Sequence, residues 1–149
     1  MPIYGKVSKL NLATCHPLLQ AIFLRVIKKH DCSIIEGHRT EERQNELHKL
    51  GRSKVRWPDS NHNKIPAMAI DAAPFIAGRI PWPEPGTKTY IKDLNQFYYF
   101  SGLVMSEAEN VLCYTEWELR WGGDWDRDHN LSNNKFDDLP HFELVKRRK

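Results

Sequence analysis

One aspartate constrains this chain more than any other residue. Asp71 stands inside AMAIDAAP, residues 67–74, a stretch otherwise without charge. A short apolar run of that kind reads as a buried strand. An ionised carboxylate inside it costs on the order of several kcal/mol unless positive charge meets it. Any fold this chain adopts must therefore bring a cation to residue 71. It can be an arginine, with Arg39 and Arg79 as candidates, or a metal ion shared with other side chains.

The histidines bear on that choice. Of the seven, His16 and His30 lie near the ends of a helical segment and His48 lies on a charged face. His62 differs, because it sits in a polar loop just ahead of the Asp71 strand. His141 opens a last strand directly after Asp137, Asp138, Leu139 and Pro140. Two imidazoles and a carboxylate form a donor set that suits a catalytic zinc with water in the fourth position. The spacing alone is unspecific, since seven histidines allow many such triples. Asp138, three residues before His141, is placed to act as a general base on a water at such a site, or simply to open a turn. Arg39, on a short strand-to-helix loop, suits an oxyanion or a helix cap.

The rest of the pattern organises the chain around these residues. Residues 17–30 carry Leu18, Leu19, Ile22, Phe23, Val26 and Ile27 on one helical face, with Pro17 in the first turn. Residues 32–36 form a β-branched strand that Gly37 ends. A charged helix runs from Thr40 to Leu50 and stops at Gly51. Residues 51–66 are a loop. Residues 75–82 continue the Asp71 strand through a hairpin at Ala77-Gly78. Residues 87–110 form the longest helix, with Tyr90, Leu94, Phe97, Ser101, Met105 and Ala108 along one side. Residues 117–121 and 141–145 are the final strands. This order implies an α+β fold, a small antiparallel sheet with flanking helices, in one domain over residues 1–149.

Composition narrows the function classes. Aromatic residues make up 11% of the chain, enough bulk to repay the entropy of ordering. No apolar run approaches the length of a membrane span, and the first ten residues lack the apolar core of a secretory signal. Cys15, Cys32 and Cys113 are odd in number and widely spaced. Buried thiols and synthesis in a reducing cytoplasm follow. Residues 1–56 hold 11 basic and 5 acidic groups, whereas residues 103–145 hold 3 and 10. The basic end, residues 146–149, reads as a frayed solubilising tail, able to add weak attraction to an anionic polymer. No nucleotide-binding glycine loop and no serine-nucleophile elbow occurs. Asp124, Asp126, Asp128 and Asn130 have a spacing that holds calcium in some loops. His129 and Lys135 stand where such loops place Gly and Glu, so a solvated acidic loop is preferred. The five tryptophans, Trp57, Trp82, Trp117, Trp121 and Trp125, are read chiefly as core.

Five ordered motifs give the chain a resemblance. Ser60-Asn61-His62, Ala69-Ile70-Asp71-Ala72-Ala73-Pro74 and Asp138-Leu139-Pro140-His141-Phe142-Glu143-Leu144 resemble the zinc peptidoglycan peptidases. That family comprises D-alanyl-D-alanine carboxypeptidases and L-alanyl-D-glutamate endopeptidases, phage endolysins among them. Glu36-Gly37-His38-Arg39-Thr40 is similar to its Arg-Thr element, and Arg120-Trp121-Gly122-Gly123-Asp124-Trp125 to its Trp-Gly-Gly-Asp-Trp strand. The likeness extends over residues 34–145. His62 and Asp71 stand nine apart with no Gly between them, two more than the common family spacing.

The resemblance implies a hedgehog/D-Ala-D-Ala-peptidase-like fold and a role for each matching residue. His62, Asp71 and His141 would ligate Zn2+, and Asp138 would be the catalytic carboxylate. Arg39 would polarise the scissile carbonyl, and Ser60 would lie near the substrate. It implies a zinc peptidase cutting the peptidoglycan stem peptide. L-alanyl-D-glutamate endopeptidase activity in phage lysis is preferred over D-Ala-D-Ala carboxypeptidase activity. A non-catalytic wall-binding or phage structural protein on the same fold is the other alternative. The expected partner is peptidoglycan, reached from the host cytoplasm after release. No nucleic-acid or membrane partner and no second subunit is expected.

Overall fold

The computed structural model describes residues 1–148. Its elements are α1 (Lys6–Ala13), α2 (Pro17–Val26), β1 (Cys32–Glu36), α3 (Glu41–Lys49), a 3-10 turn (Asn61–Asn63), β2 (Ala69–Pro74), α4 (Tyr90–Leu112), β3 (Trp117–Trp121) and β4 (His141–Lys146). The four strands form one antiparallel sheet in the order β1-β2-β4-β3. The expected α+β fold with a small antiparallel sheet is the one observed. Among the described residues no helix is long and apolar enough to cross a membrane.

Side-chain alternation splits the sheet into two chemically different faces. Ile70 and Ala72 on β2, Phe142 and Leu144 on β4, and Leu119 and Trp121 on β3 join one apolar cluster. There Phe142 meets Phe23 of α2 edge-on at 5.8 Å and Phe100 of α4 at 6.3 Å. The opposite face carries Asp71, His141, Glu143 and Arg120. Register makes this polar row continuous: Asp71 lies across from His141, and Arg120 from Glu143. On β1 a bulge is needed to join it. Ile34 pairs with Ala72 but Glu36 pairs with Asp71, so two steps on β1 match one on β2. That extra residue turns Glu36 onto the polar face.

β1 is a sheet edge, and α1 covers it. Ser8 Oγ accepts from Ile34 N at 3.0 Å, and Asn11 Nδ2 donates to Ile34 O and Ile35 O at 3.0 and 2.8 Å. Backbone groups left open along the sheet edge are thereby satisfied. The sequence pattern does not announce α1, because Val7 and Leu10 are exposed while Ser8 is buried.

Other boundaries differ modestly from expectation. α2 ends at Val26 rather than residue 30. Thr40 is the α3 cap, its hydroxyl accepting from Arg43 N at 3.3 Å, and Gly51 ends the helix at φ +70°. Residues 75–82 make only a bridge between Ile76 and Arg79 across the expected Ala77-Gly78 turn. α4 buries Asp93, Phe97, Phe100, Ser101, Val104, Glu107, Ala108 and Leu112. That stripe is rotated from the expected one, since Tyr90, Leu94 and Met105 are only half-buried. Its rotation follows from packing α4 against α2 and the sheet together. Cys15 and Cys32 are buried free thiols as expected, and Cys113 is exposed. The tail reading needs correction up to residue 148. Arg147 donates to Leu112 O and Trp117 O at 3.2 and 3.1 Å, and Arg148 donates to Asp126 O. These carbonyl acceptors dock residues that sequence reasoning treats as frayed; Lys149 lies outside the described residues.

A charged clasp joins α2 to α4. Glu107, 1% exposed, accepts from Arg25 Nε at 2.6 Å and from Lys29 Nζ. Lys29 and Arg25 hold its carboxyl below the ordinary carboxylate range despite burial. A depressed folded-state value means stability that is present above the unfolded value and lost as pH falls through the folded one. Glu107→Gln should therefore lower the urea midpoint by the equivalent of about 1 kcal/mol at neutral pH. The gap should close once the pH drops below the ordinary carboxylate value of about 4.3 and on through the depressed one. An equal gap at pH 7 and pH 2.5 would assign the loss to packing rather than charge.

Candidate metal centre

Three ligand atoms from distant parts of the chain converge on the polar face of the sheet. His62 Nε2 lies 3.2 Å from Asp71 Oδ1 and 3.3 Å from His141 Nδ1. His141 Nδ1 lies 3.2 Å from the same Asp71 oxygen. The Asp71–His141 edge follows from strand register. His62 arrives from outside the sheet on its 3-10 turn, which a capping box secures. Ser60 Oγ accepts from His62 N at 3.2 Å, and Asn63 Oδ1 accepts from Ser60 N at 3.1 Å. Arg39 N donates to His62 O at 2.8 Å and Asn63 Nδ2 donates to Arg39 O at 3.1 Å, fixing that turn to the end of β1.

Each imidazole is oriented by its other nitrogen. His62 Nδ1 lies 2.7 Å from Gly37 O, a carbonyl that can only accept, so this nitrogen carries the proton. His141 Nε2 faces Glu143 Oε2 at 3.3 Å in the same sense. Both remaining lone pairs then aim at the Asp71 carboxylate. Such a cluster of donors demands positive charge. A metal ion or protons can supply it. Burial opposes a charge on His141, but Asp71 and Glu143 push it up to about 10. Burial likewise opposes the Asp71 carboxylate, yet His62 and His141 hold it well below the usual range.

The donor set also fits a divalent ion. Tetrahedral zinc with ligands at about 2.0–2.2 Å separates neighbouring ligand atoms by about 3.3–3.5 Å. The three observed separations, 3.2, 3.2 and 3.3 Å, lie close to that. His62, Asp71 and His141 thus form a group that could hold a metal ion. Of the two explanations offered for Asp71, the arginine is in reach and a donor set that could hold a metal ion is assembled around the same carboxylate. Arg39 Nη2 reaches Asp71 Oδ2 at 3.5 Å, leaving Oδ1 to the imidazoles. Arg79 is not involved and pairs with Asp93.

The other expected site residues surround this group. Asp138 lines the same groove of about 830 Å³, as do Arg39 and Ser60. Its backbone fixes its position, with Asp138 N donating to Gly122 O at 2.8 Å and Asp138 O accepting from His141 N at 3.0 Å. A side chain on Gly122 would collide with Asp138 O, so glycine is required there. Burial and the negative charge of Asp71 raise the Asp138 carboxyl above its ordinary value. Arg39 is nearly buried and heavily engaged. Its Nη2 donates to Glu36 Oε2 at 2.6 Å and its Nη1 to Gln44 Oε1 at 3.1 Å. Ser60 spends its hydroxyl on capping the His62 turn.

Sequence reasoning missed the residues that support the ligands. Glu143 orients His141 and is itself held by Asn61 Nδ2 at 2.7 Å and Arg120 Nε at 2.7 Å. Burial opposes ionised Glu143, but His141, Asn61 and Arg120 hold it down at about 2. Its position two residues after His141 on a strand was the available signal, because the period of two puts both on one face. The Gly37 carbonyl left no such signal. The tryptophans also need correction: only Trp121 is buried core. Trp125 lies over His141 at 5.3 Å and stacks on Phe136 at 5.4 Å, and Trp82 lines the groove. Asp124, Asp126 and Asp128 do cluster. Their carboxylates accept backbone N–H groups of Asp128, His129 and Asn130, as a solvated acidic loop does.

Comparison with known proteins gives the family and the fold. The profile of the phage L-alanyl-D-glutamate peptidase family matches residues 3–145. The L-alanyl-D-glutamate peptidase of Escherichia phage T5 is 30% identical over 151 residues, covering 95% of this chain and 97% of that protein. The crystal structure of the Serratia marcescens L-Ala D-Glu endopeptidase ChiX shares the fold. Its TM-score is 0.70 at 23% identity, over 96% of this chain and 90% of that one. With the match running from ahead of α1 into β4, this chain belongs to the phage L-alanyl-D-glutamate peptidase family.

Proposed function

We propose that this protein is a zinc-dependent endopeptidase that hydrolyses the L-alanyl-D-glutamate bond of the peptidoglycan stem peptide. His62, Asp71 and His141 hold the ion, and Asp138 is the proton-transfer residue. The convergence of two oriented imidazoles and one carboxylate at 3.2–3.3 Å carries this reading. Family membership supports the scissile bond over D-Ala-D-Ala cleavage. Acting as a lysis enzyme, the protein would be made in the host cytoplasm and meet the wall after release.

When bound, zinc supplies a Lewis acid that brings water toward a pKa of about 7 and draws charge from a developing oxyanion. The chain's own residues do the rest. Asp138 takes a proton on its carboxylate as the amide carbonyl is attacked, then delivers it to the departing amine nitrogen. Arg39 adds positive charge beside Asp71, strengthening the field that stabilises the oxyanion. Ser60 acts on the substrate side of the groove while its hydroxyl keeps the His62 turn in place. Glu143 keeps His141 in the ligating tautomer.

Digestion of purified peptidoglycan followed by mass spectrometry tests the proposal. The expected products are glycan-linked L-alanine termini and peptides beginning with D-glutamate. Release of free D-alanine would identify a carboxypeptidase. A zinc-loaded protein that releases nothing would identify a wall-binding protein on this fold.

A further inference from the structure

The groove contains a feature that metal-centred hydrolysis does not use. Its cations are not equally available. Arg39 is bound to Glu36 and Asp71. Arg43 pairs with Glu46 at 3.0 Å and faces Glu36 at 3.6 Å, while Arg120 is committed to Glu143. Among the described residues, only Arg52 and Lys54 line the groove without an ion-pair partner. Both belong to the loop that leaves α3 at Gly51.

That loop is held in place from within. Gln44 is fully buried. Its Nε2 donates to Val55 O at 2.7 Å and Ser53 Oγ at 2.9 Å. Its Oε1 accepts from Arg39 Nη1 at 3.1 Å and Asn63 Nδ2 at 3.3 Å. One amide therefore ties the loop to the segments that carry Arg39 and His62. Across the groove, Lys54 Nζ sits over the Phe136 ring at 4.9 Å, and Phe136 stacks on the Trp125 that covers His141. The two free cations are thus built into the wall of the site.

An L-alanyl-D-glutamate substrate brings a matching charge. Its glutamyl residue lies on the amine side of the scissile bond. One of its carboxyl groups carries the peptide onward and the other stays free and ionised. We infer that Arg52 and Lys54 form the subsite for that free glutamyl carboxylate, selecting glutamate over its amide on the leaving-group side. Gln44 is the positioning residue of the subsite. The inference rests on the proposed bond specificity and adds to it a basis for recognition. Charge-assisted contacts to a carboxylate are stronger than neutral ones, and the amide analogue leaves both cations unmatched.

The test uses the zinc-loaded full chain and two synthetic stem peptides. They differ only in whether the free glutamyl carboxyl is ionised or amidated. The native protein should cleave the carboxylate peptide with a kcat/KM about tenfold above the amide, the difference lying in KM. Arg52→Gln with Lys54→Gln should shrink that preference to about twofold or less. The single variants should fall between, and added salt should erode the native preference. A native protein that cleaves both peptides equally would overturn the subsite and leave the endopeptidase assignment intact. So would a double variant that keeps the tenfold preference. Cleavage of neither peptide by the native protein would overturn both.

Discussion

Asp138→Ala should fold, retain one zinc and lose at least about a hundredfold in peptidoglycan cleavage, the usual scale for removing a general acid–base group. The separation of binding from turnover follows from how the residue is held. Its backbone N–H and carbonyl bond to Gly122 and His141, and alanine preserves both bonds. Its carboxyl is not one of the three converging ligand groups. The loop that presents His141 should therefore stay in place while the proton carrier disappears. Metal analysis of the purified variant beside a fragment-release assay reads the two properties independently. Native-like turnover by the zinc-loaded variant would remove Asp138 from the mechanism. Loss of zinc as well as activity would make it part of the metal site.

Asp71→Asn should abolish metal retention at stoichiometric zinc and cleavage with it. Losing a supporting partner of a ligand already costs about 10–100-fold in affinity, and here the shared anionic ligand itself is neutralised. Asp71 Oδ1 is the atom that both imidazoles face, and its charge is what makes that point attractive to a cation. The near-isosteric amide keeps β2 filled, so folding is expected to survive. Thermal unfolding distinguishes the outcomes, because a ligand that binds only the folded state raises its stability. A chelator should lower the melting temperature of the native protein and leave that of Asp71→Asn unchanged. A variant still stabilised by zinc to the native extent would show that the ion binds elsewhere.

These two experiments address residues that stand out in the sequence for one physical reason. A carboxylate on an oily strand is costly enough to require a partner, and imidazoles beside turn residues are the available donors. Strands at residues 32–36 and 117–121 were legible because β-branched and aromatic residues cluster there between breakers. The limits of α3 were legible because Thr40 and Gly51 have capping chemistry. By contrast, α1 escapes periodicity, since its exposed Val7 and Leu10 oppose the pattern. Trp82 and Trp125 are misread as core because hydrophobicity does not distinguish a buried ring from one lining a groove. Support from Gln44, Glu143 and the Gly37 carbonyl was illegible because polar residues and backbone groups look alike until their neighbours are known.

Local chemistry alone determined that residue 71 needs a cation, which side chains could provide or share it, and that helices and a small antiparallel sheet would frame the site. Tertiary structure decided that a one-residue bulge turns Glu36 onto the polar face and that antiparallel register sets Asp71 opposite His141. It also decided which nitrogen of each imidazole is free and which groove cations remain unpaired. The division has a physical cause. The cost of an unmatched charge belongs to the residue and its immediate neighbours, whereas its relief depends on atoms up to 70 positions away that only packing brings within 3.2 Å.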